Sequence, residues 1–221
     1  RDILLLQRHD RRSIYDLHYK KPEPVVARHD TYEIKERISP DGSIVLDIDE
    51  DYAREQIKTA LRNGRFDSAA ICFLHSYANS RHERFLKELI QQEFPSLPIT
   101  CSYNVTREFR EYERASTTTL AAYVQPVIAG YIKRFSASLA KQGFKGRFSI
   151  MQSNGGRMPA EAMAKNAISA LFSGPAAGVV GGQAEVQADR LGVPDVQVAV
   201  RLGRKTGDHL RQGLTILAAA F

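Results

Sequence analysis

Hydrophobic and polar residues alternate early in the chain and then take up helical spacing. Residues 23–48 read as extended on both sides of a Pro-Asp-Gly turn at residues 40–42, in which proline fixes one φ angle and glycine supplies a positive one. In residues 49–63 the apolar side chains recur at helical spacing, and Gly64 follows as a stop signal. The pattern therefore predicts a hairpin followed by an amphipathic helix.

The next stretch has the rhythm of a strand, a helix and a second strand. Residues 68–74 form an unbroken apolar run, which is typical of a strand buried on both faces of a parallel sheet. Asn79 can cap a helix with a single apolar stripe, which Pro95 ends, and residues 98–102 form a short strand. This order predicts a βαβ unit.

The second half opens with a long helix. Apolar side chains recur three or four positions apart from Arg110 to Gly143, and Pro126 lies inside this stretch, where it should bend the helix or begin a new one. Shorter elements follow: a strand at 147–151, a helix at 159–165, a strand, tight turn and helix within 169–192, and a last strand at 195–200. The whole pattern predicts an α/β protein.

Charge and composition exclude several classes of protein. The chain has 221 residues with 31 basic and 25 acidic side chains, a net charge of +6. Residues 1–21 and 201–221 carry this excess while the middle is neutral, so the charge lacks the clustering of a nucleic-acid binder. Two cysteines in apolar runs suit a reducing compartment. No apolar stretch approaches the length of a membrane span.

The strongest local signal for a binding site is Ser153-Asn154-Gly155-Gly156, directly after a predicted strand. Two glycines let the backbone approach a ligand closely, and the Ser and Asn side chains add hydrogen-bonding groups. The alternative is a glycine-rich tight turn that binds nothing, and from the four residues alone this alternative is favoured.

A second signal is the sequence Ser173-Gly174-Pro175 at the start of a predicted helix. Ser173 can cap the helix, Pro175 suits its first turn, and the free N–H groups there can bind an anion. The alternative is a well-capped helix whose later glycines allow close packing on a sheet, and taken alone it is again favoured.

The metal-ligating residues Cys72, His75, His82 and Glu83 do not form a recognised pattern. Their spacing is incomplete for zinc, and no His-Glu-x-x-His sequence occurs. We interpret Cys72 as a buried strand residue and His75 as the polar residue where the strand meets its loop. The sequence therefore predicts no metal site.

A charge cluster of Glu111, Glu113 and Arg114 precedes the long helix. Such clusters are usually solvated faces or helix-end charges, and we interpret this one in that way. No catalytic residue can be assigned, because the sequence has no nucleophile elbow, no Walker A loop and no paired carboxylates identifiable by spacing.

Several stretches together resemble the hydantoinase A/5-oxoprolinase family, in its order and spacing, over roughly residues 1–197. They are IYDLHYKKPEPVV, ICFLHSYANSRHE, REYERASTTTLAAYVQPVI, SIMQSNGGRM and LFSGPAAGVVGG. The resemblance implies a fragment of an actin-like (ribonuclease H-like) ATPase fold with mixed sheets and flanking helices. It also implies ATP and Mg²⁺ as cofactors and a cytoplasmic location. It favours a role in substrate or nucleotide binding for residues 153–156 and 173–175, which would border a cleft.

The function implied is ATP-dependent opening of a cyclic amide of the hydantoin or 5-oxoproline type, together with a hydantoinase B-type subunit or domain. Two alternatives stay open. The chain could belong to a subunit of an acetone-type carboxylase, which shares these motifs, or it could be a non-catalytic remnant that binds a B-type subunit. The implied domains are 1–112, the C-terminal part of the family's N-terminal domain, and 113–200, the start of its core domain.

The family's two Asp-x-Gly-Gly-Thr phosphate loops are missing from the sequence. One is expected before residue 1, and the other immediately after residues 196–200, where residues 201–206 read Arg-Leu-Gly-Arg-Lys-Thr. We therefore expect ATP and Mg²⁺ to bind this chain poorly and the chain alone to be inactive.

Residues 201–221 are expected to be an aberrant, frameshifted tail. The resemblance stops where the second phosphate loop is due, and the tail has a basic excess. Codons for residues 200–204 also exist from which the loss of one base yields Phe-Asp-Leu-Gly-Gly. A tail of this origin should lack stable packing against the rest of the chain.

Overall fold

The computed structural model describes residues 2–6, 15–20, 22–62, 66–191 and 213–219. The strands in these ranges are β1 Thr31–Ile34, β2 Arg37–Ile38, β3 Ile44–Leu46, β4 Phe66–Cys72, β5 Ile99–Cys101, β6 Ser149–Met151, β7 Arg157–Pro159 and β8 Gly213–Ala219. The α-helices are α1 Glu50–Leu61, α2 Arg81–Glu93, α3 Ser102–Val105, α4 Glu111–Lys141, α5 Ala160–Lys165 and α6 Ser173–Leu191. Two compact units divide between Pro126 and Val127, inside α4, and β8 belongs to the first unit.

The first unit is built on a parallel sheet with the strand order β1-β8-β4-β5. Strand β4, helix α2 and strand β5 form the βαβ unit that the sequence predicts, because β4 and β5 pair in parallel. Apolar side chains of α1 and α2, among them Ile57 and Leu86, pack with Ile34 and Ile71 of the sheet. This arrangement confirms the α/β class.

The first part of α4 lies against the other face of the same sheet. Ala122 packs with Ala70 of β4 and with Val26. The Ser68 hydroxyl donates a hydrogen bond of 2.8 Å to the carbonyl oxygen of Ala122. The sheet of the first unit is therefore covered on both faces, which explains the unbroken apolar run of β4.

Residues 213–219 form β8, which pairs in parallel with both β1 and β4. The expectation that the tail lacks packing is therefore wrong for this stretch. Its sequence, GLTILAA, is apolar and includes β-branched residues, and strands of this kind suit the interior of a parallel sheet. The predicted strand at 195–200 and residues 201–212 lie outside the described residues. A frameshift as the origin of the tail stays a prediction.

The predicted hairpin is confirmed as the antiparallel pair β2 and β3. Gly42 has a φ angle of +87°, as the Pro-Asp-Gly turn requires. The helix that follows is capped by Asp49, whose side chain accepts a hydrogen bond of 3.0 Å from the Tyr52 N–H. Asn79 accepts a hydrogen bond from the Arg81 N–H at the start of α2, close to its predicted capping role.

The second unit contains the end of α4, the hairpin β6–β7, and the helices α5 and α6. α4 is a single 31-residue helix that runs through Pro126, so no new helix begins there. One assignment in this unit is wrong. The strand predicted before Ser173 is instead a short 3-10 helix, Ala167–Ala170, because a short apolar run fits a helical turn as well as a strand.

No helix within the described ranges is long and apolar enough to cross a membrane.

Candidate functional site

The Ser-Asn-Gly-Gly sequence forms the loop of the β6–β7 hairpin in the second unit. The strand partners Met151 and Arg157 flank the loop, and the Gln152 N–H donates a 2.8 Å hydrogen bond across it to the Gly156 carbonyl oxygen. The Asn154 side chain accepts a 2.9 Å hydrogen bond from the Gly156 N–H. Ser153 and Asn154 are exposed. The loop is therefore internally braced and presents two polar side chains to solvent.

The backbone requires a glycine at position 155, whereas at position 156 a Cβ atom would meet only side-chain atoms. Gly155 has a φ of +82°, and a Cβ atom there would lie 3.3 Å from a methyl group of Val180 on α6. A Cβ on Gly156 would lie 2.9 Å from Gln152 Oε1 and 3.0 Å from Asn154 Oδ1. Gly155 thus allows the loop to approach α6 closely, a structural role that holds whether or not a ligand binds.

The start of α6 is the second predicted site region. Ser173 is the first residue of the helix and is only 5% exposed, while Gly174 and Pro175 are exposed. Pro175 lies in the first turn, as predicted. Phe172, just before the helix, has a φ of +58° and is 83% exposed, which is unusual for a large aromatic residue.

The glycines of α6 face open space in this structure. Apart from adjacent residues and the helix's own backbone, no heavy atom of the described residues lies within 4 Å of the Cβ position at Gly174, Gly178, Gly181 or Gly182. The alternative interpretation, that these glycines allow close packing on a sheet, therefore finds no support in the described part of the chain.

The two predicted site regions are neighbours. The Ser153 N–H donates a 2.8 Å hydrogen bond to the carbonyl oxygen of Ser169, four residues before α6. Together with the approach of Gly155 to Val180, this contact joins the hairpin loop to the segment that leads into α6. These contacts lie on either side of Ser173–Pro175 along the chain, so the hairpin loop packs against the same segment that carries the second motif.

Arg114 is buried, so its interpretation as part of a solvated cluster is wrong. It is only 1% exposed. Its Nη2 donates a 2.6 Å hydrogen bond to the carbonyl oxygen of Phe73, and its Nη1 donates one of 2.9 Å to that of Glu108. The guanidinium also lies over the ring of Tyr77. Arg114 is therefore an internal anchor for the segments that follow β4 and β5.

Glu83 is a second buried charged residue, and the sequence analysis, which considered it only as a metal ligand, did not predict its burial. Its Oε1 accepts hydrogen bonds from the Phe73 N–H (2.9 Å) and the Ser102 hydroxyl (2.6 Å), and its Oε2 accepts one from the Tyr103 N–H (3.2 Å). Burial raises the pKa of this carboxyl despite these donors. Glu83 lies three residues before Leu86, which belongs to the apolar stripe of α2, and residues at this spacing share a helix face. This spacing was the signal from which the burial of Glu83 could have been predicted.

The other residues considered as metal ligands are used in different ways. His75 has a φ of +57°, and its Nδ1 lies 3.3 Å from the Tyr77 hydroxyl. Cys72 and Cys101 are free and buried, and burial raises the pKa values of their thiols to about 11 and about 12. Within the described ranges, no group of three His, Cys, Asp or Glu residues could hold a metal ion.

Two sequence profiles cover most of the chain. The hydantoinase/oxoprolinase N-terminal region matches residues 1–94, and the hydantoinase/oxoprolinase profile matches residues 114–195. The chain belongs to the hydantoinase/oxoprolinase family. Both candidate motifs of the second unit fall inside the second match.

Curated relatives in this family include enzymes with different substrates in their names. The chain is 34% identical to caprolactamase subunit alpha of Pseudomonas jessenii over 169 residues, which are 73% of this chain and 23% of that one. It is 28% identical to 5-oxoprolinase 1 of Arabidopsis thaliana over 200 residues, 82% of this chain and 15% of the relative. The chain spans about a quarter of the relatives' length, or less.

Two solved structures of the family share this fold. The ATP-dependent caprolactamase of Pseudomonas jessenii matches with a TM-score of 0.72 and 31% identity, covering 87% of this chain and 27% of that one. The nucleotide-free structure of acetone carboxylase matches with a TM-score of 0.68 and 27% identity, covering 79% of this chain and 24% of that one. The predicted fold class is confirmed, and both of these enzymes are described as ATP-dependent.

Proposed function

We propose that this chain is part of an ATP-dependent enzyme that opens a cyclic amide of the hydantoin or 5-oxoproline type. The proposal rests on the family, on relatives named 5-oxoprolinase and caprolactamase, and above all on the β6–β7 loop, which contacts Ser169 just before α6 and approaches Val180 within it. These two regions supply exposed polar groups and small residues in one place. Hydroxyl, amide and main-chain N–H groups of this kind can donate hydrogen bonds to a small polar ligand.

The reaction needs activation because an amide oxygen is a poor leaving group. ATP, when bound, would supply the phosphoryl group that activates this oxygen. The exposed Ser153 and Asn154 side chains and the first N–H groups of α6 offer hydrogen bonds to a carbonyl or phosphate oxygen. Residues 152–159 and 171–178 contain no Asp or Glu, so these two regions do not fit a Mg²⁺ site.

Binding of ATP and Mg²⁺ to this chain alone is therefore expected to be weak. No Asp-x-Gly-Gly-Thr sequence occurs in its 221 residues, and such loops supply the carboxylates and main-chain N–H groups that hold Mg²⁺ and phosphate. We expect the chain to require a hydantoinase B-type subunit or domain, since relatives are named as subunits. The buried free thiols suit the reducing conditions of the cytoplasm.

A subunit of an acetone-type carboxylase is the second candidate. The similarity to the acetone carboxylase structure and to the acetophenone carboxylase gamma subunit of Aromatoleum aromaticum, 29% identical over 166 residues, favours it. A non-catalytic protein that binds a B-type subunit is the third, because the phosphate loops are missing from the sequence. The three candidates differ in whether they hydrolyse ATP and in whether they use bicarbonate.

The test measures ADP release by the complete enzyme to which this chain belongs, together with its B-type subunit, in the presence of 5-oxoproline, of hydantoin, and of acetone plus bicarbonate. Ring opening without bicarbonate supports the hydrolase, and bicarbonate-dependent turnover supports the carboxylase. Co-purification without any ATP hydrolysis supports the non-catalytic role. Ser153→Ala should reduce a measured activity, because it removes one of the two exposed side chains offered to the ligand, whereas the control Ser138→Ala, at an exposed position on α4, should not.

Calorimetry on the chain alone tests the expectation for the cofactors. Micromolar, Mg²⁺-dependent ATP binding would contradict it, because no phosphate loop would then be needed.

A further inference from the structure

A buried histidine connects the β2–β3 hairpin to α2 in the first unit. His82, in the first turn of α2, is 1% exposed. Its Nδ1 lies 2.7 Å from Oε2 of Glu36, and its Nε2 lies 2.9 Å from Oδ1 of Asp47. Glu36 immediately precedes β2, and Asp47 immediately follows β3. The imidazole thus holds both ends of the hairpin.

The two short contacts require two protons. Each joins a ring nitrogen to a carboxylate oxygen, and neither contact is a hydrogen bond unless one of its two atoms carries a hydrogen. Either both ring nitrogens are protonated, or only one is, and the carboxyl group that faces the unprotonated nitrogen carries the second proton. If one proton leaves, a nitrogen lone pair faces a carboxylate lone pair, and that contact must open.

The surroundings decide which contact opens. Glu36 is buried, and among the described residues its Oε1 has no hydrogen-bond partner. Its Oε2 contact with His82 is therefore costly to break, because the carboxyl would lose a needed partner inside the protein. The Asp47 side chain is 58% exposed and can turn to water, and Arg81 Nη2 already lies 3.4 Å from its Oδ2. Asp47 is the group that can leave.

The pKa directions agree with this division. Burial raises the pKa of Glu36, against the opposing effects of His82 and Arg37. Burial also acts to raise the pKa of Asp47, but the Ile48 N–H, His82 and Arg81 together hold it below its ordinary value. Of the two carboxyl groups, Asp47 is therefore the one that ionises more readily, and Glu36 is the one that holds a proton more readily.

We propose that the Glu36–His82–Asp47 group is a pH-responsive latch, in which loss of one proton releases Asp47 and loosens the chain where it leaves β3. The hairpin stays attached elsewhere, because Ile38 is fully buried and the Asn79 side-chain NH₂ donates a 2.8 Å hydrogen bond to the Gly42 carbonyl oxygen. The change is thus confined to the end of β3 and the connection to α1.

Amide hydrogen exchange and imidazole ¹⁵N shifts, followed by NMR from about pH 5 to about pH 9, test the latch on the wild-type chain. As the pH rises and the three-residue group loses a proton, protection factors at Leu46 and Ile48 should fall about 10- to 100-fold, the effect of losing a charge-assisted hydrogen bond. Protection at Ile38 should change little.

Asp47→Ala is the decisive variant. It removes the Oδ1 atom that lies 2.9 Å from His82 Nε2 and accepts a 3.0 Å hydrogen bond from the Ile48 N–H, so protection at Ile48 should be low at every pH and should no longer depend on pH. Asp41→Ala at the tip of the same hairpin, where Asp41 accepts from the Ser43 N–H and hydroxyl, is the matched control and should keep the pH dependence of the wild type. The proposal is overturned if protection at Ile48 does not change with pH in the wild type, or if it changes equally in Asp47→Ala.

Discussion

Replacing Glu83 with glutamine tests whether a buried carboxylate fixes the ends of β4 and β5. In the wild type its two oxygens accept from the Phe73 N–H, the Ser102 hydroxyl and the Tyr103 N–H. If the glutamine oxygen keeps the first two donors, its NH₂ group faces the Tyr103 N–H, and a donor then meets a donor. Glutamine is close to glutamate in size, so the change isolates this hydrogen bonding.

The expected loss follows from these contacts. An unpaired buried N–H costs about 1–3 kcal/mol, and each remaining bond to a neutral acceptor is weaker than one to a charged acceptor. Glutamine is neutral, so the variant avoids the cost of burying a charge, and this gain offsets part of the loss. We expect Glu83→Gln to lower the free energy of unfolding by about 2–4 kcal/mol, a large share of the ~5–15 kcal/mol typical of a domain.

The assay is urea denaturation followed by far-ultraviolet circular dichroism, since the chain contains no tryptophan. Glu88→Gln makes the same chemical change at an exposed position of α2 and should stay within about 0.5 kcal/mol of the wild type. Equal effects of the two variants would refute the reasoning, because Glu83 would then behave as a surface residue.

The pH dependence of the same experiment has a definite sign. Because burial raises the pKa of Glu83 above its ordinary value of 4.5, the folded chain binds this proton more tightly than the unfolded chain does. The contribution of Glu83 to stability is therefore largest at low pH and falls as the pH rises from the ordinary value through the raised one. Glu83→Gln should remove this part of the pH dependence, and an unchanged profile would contradict the assignment.

Four further substitutions test two glycine positions, a buried arginine and a helix cap by urea denaturation. Gly155→Ala should destabilise by about 1–2 kcal/mol, because its φ is positive and Val180 is close, whereas Gly178→Ala, in open space on α6, should be neutral or stabilising by up to about 1 kcal/mol. Arg114→Met should destabilise by about 2–3 kcal/mol through its lost bonds to two carbonyl oxygens, and a loss below about 0.5 kcal/mol would contradict this. Asp49→Ala should cost about 1 kcal/mol as the lost cap of α1, and an unchanged urea midpoint would exclude the cap.

Local patterns predicted most elements of the first unit, because their apolar spacing reflects a face that is buried. The run that became β4, the stripe of α2 and the turn at Gly42 are of this kind. The insertion of β8 between β1 and β4 could not be predicted, since strand order depends on pairing between segments far apart in the chain. The short helix Ala167–Ala170 was missed because its apolar run is too brief to show a period.

The candidate site could be predicted as two motifs but not as one place. Glycines and polar residues at Ser153–Gly156 and Ser173–Pro175 marked two unusual backbone positions. Their proximity depends on the hydrogen bond from Ser153 to Ser169 and on the approach of Gly155 to Val180. Contacts of this kind join segments that no spacing rule connects.

The buried charges Glu83 and Arg114 look like surface residues in the sequence because charge usually means exposure. In the structure both side chains form hydrogen bonds to the main chain of Phe73, from helices on opposite faces of the sheet. Glu83 of α2 accepts from the Phe73 N–H, and Arg114 of α4 donates to the Phe73 carbonyl oxygen. Phe73 directly follows β4, where the main chain leaves the sheet and would otherwise lose its partners inside the protein. Two opposite charges can therefore be buried here, because each satisfies a main-chain group that the end of a central strand leaves open.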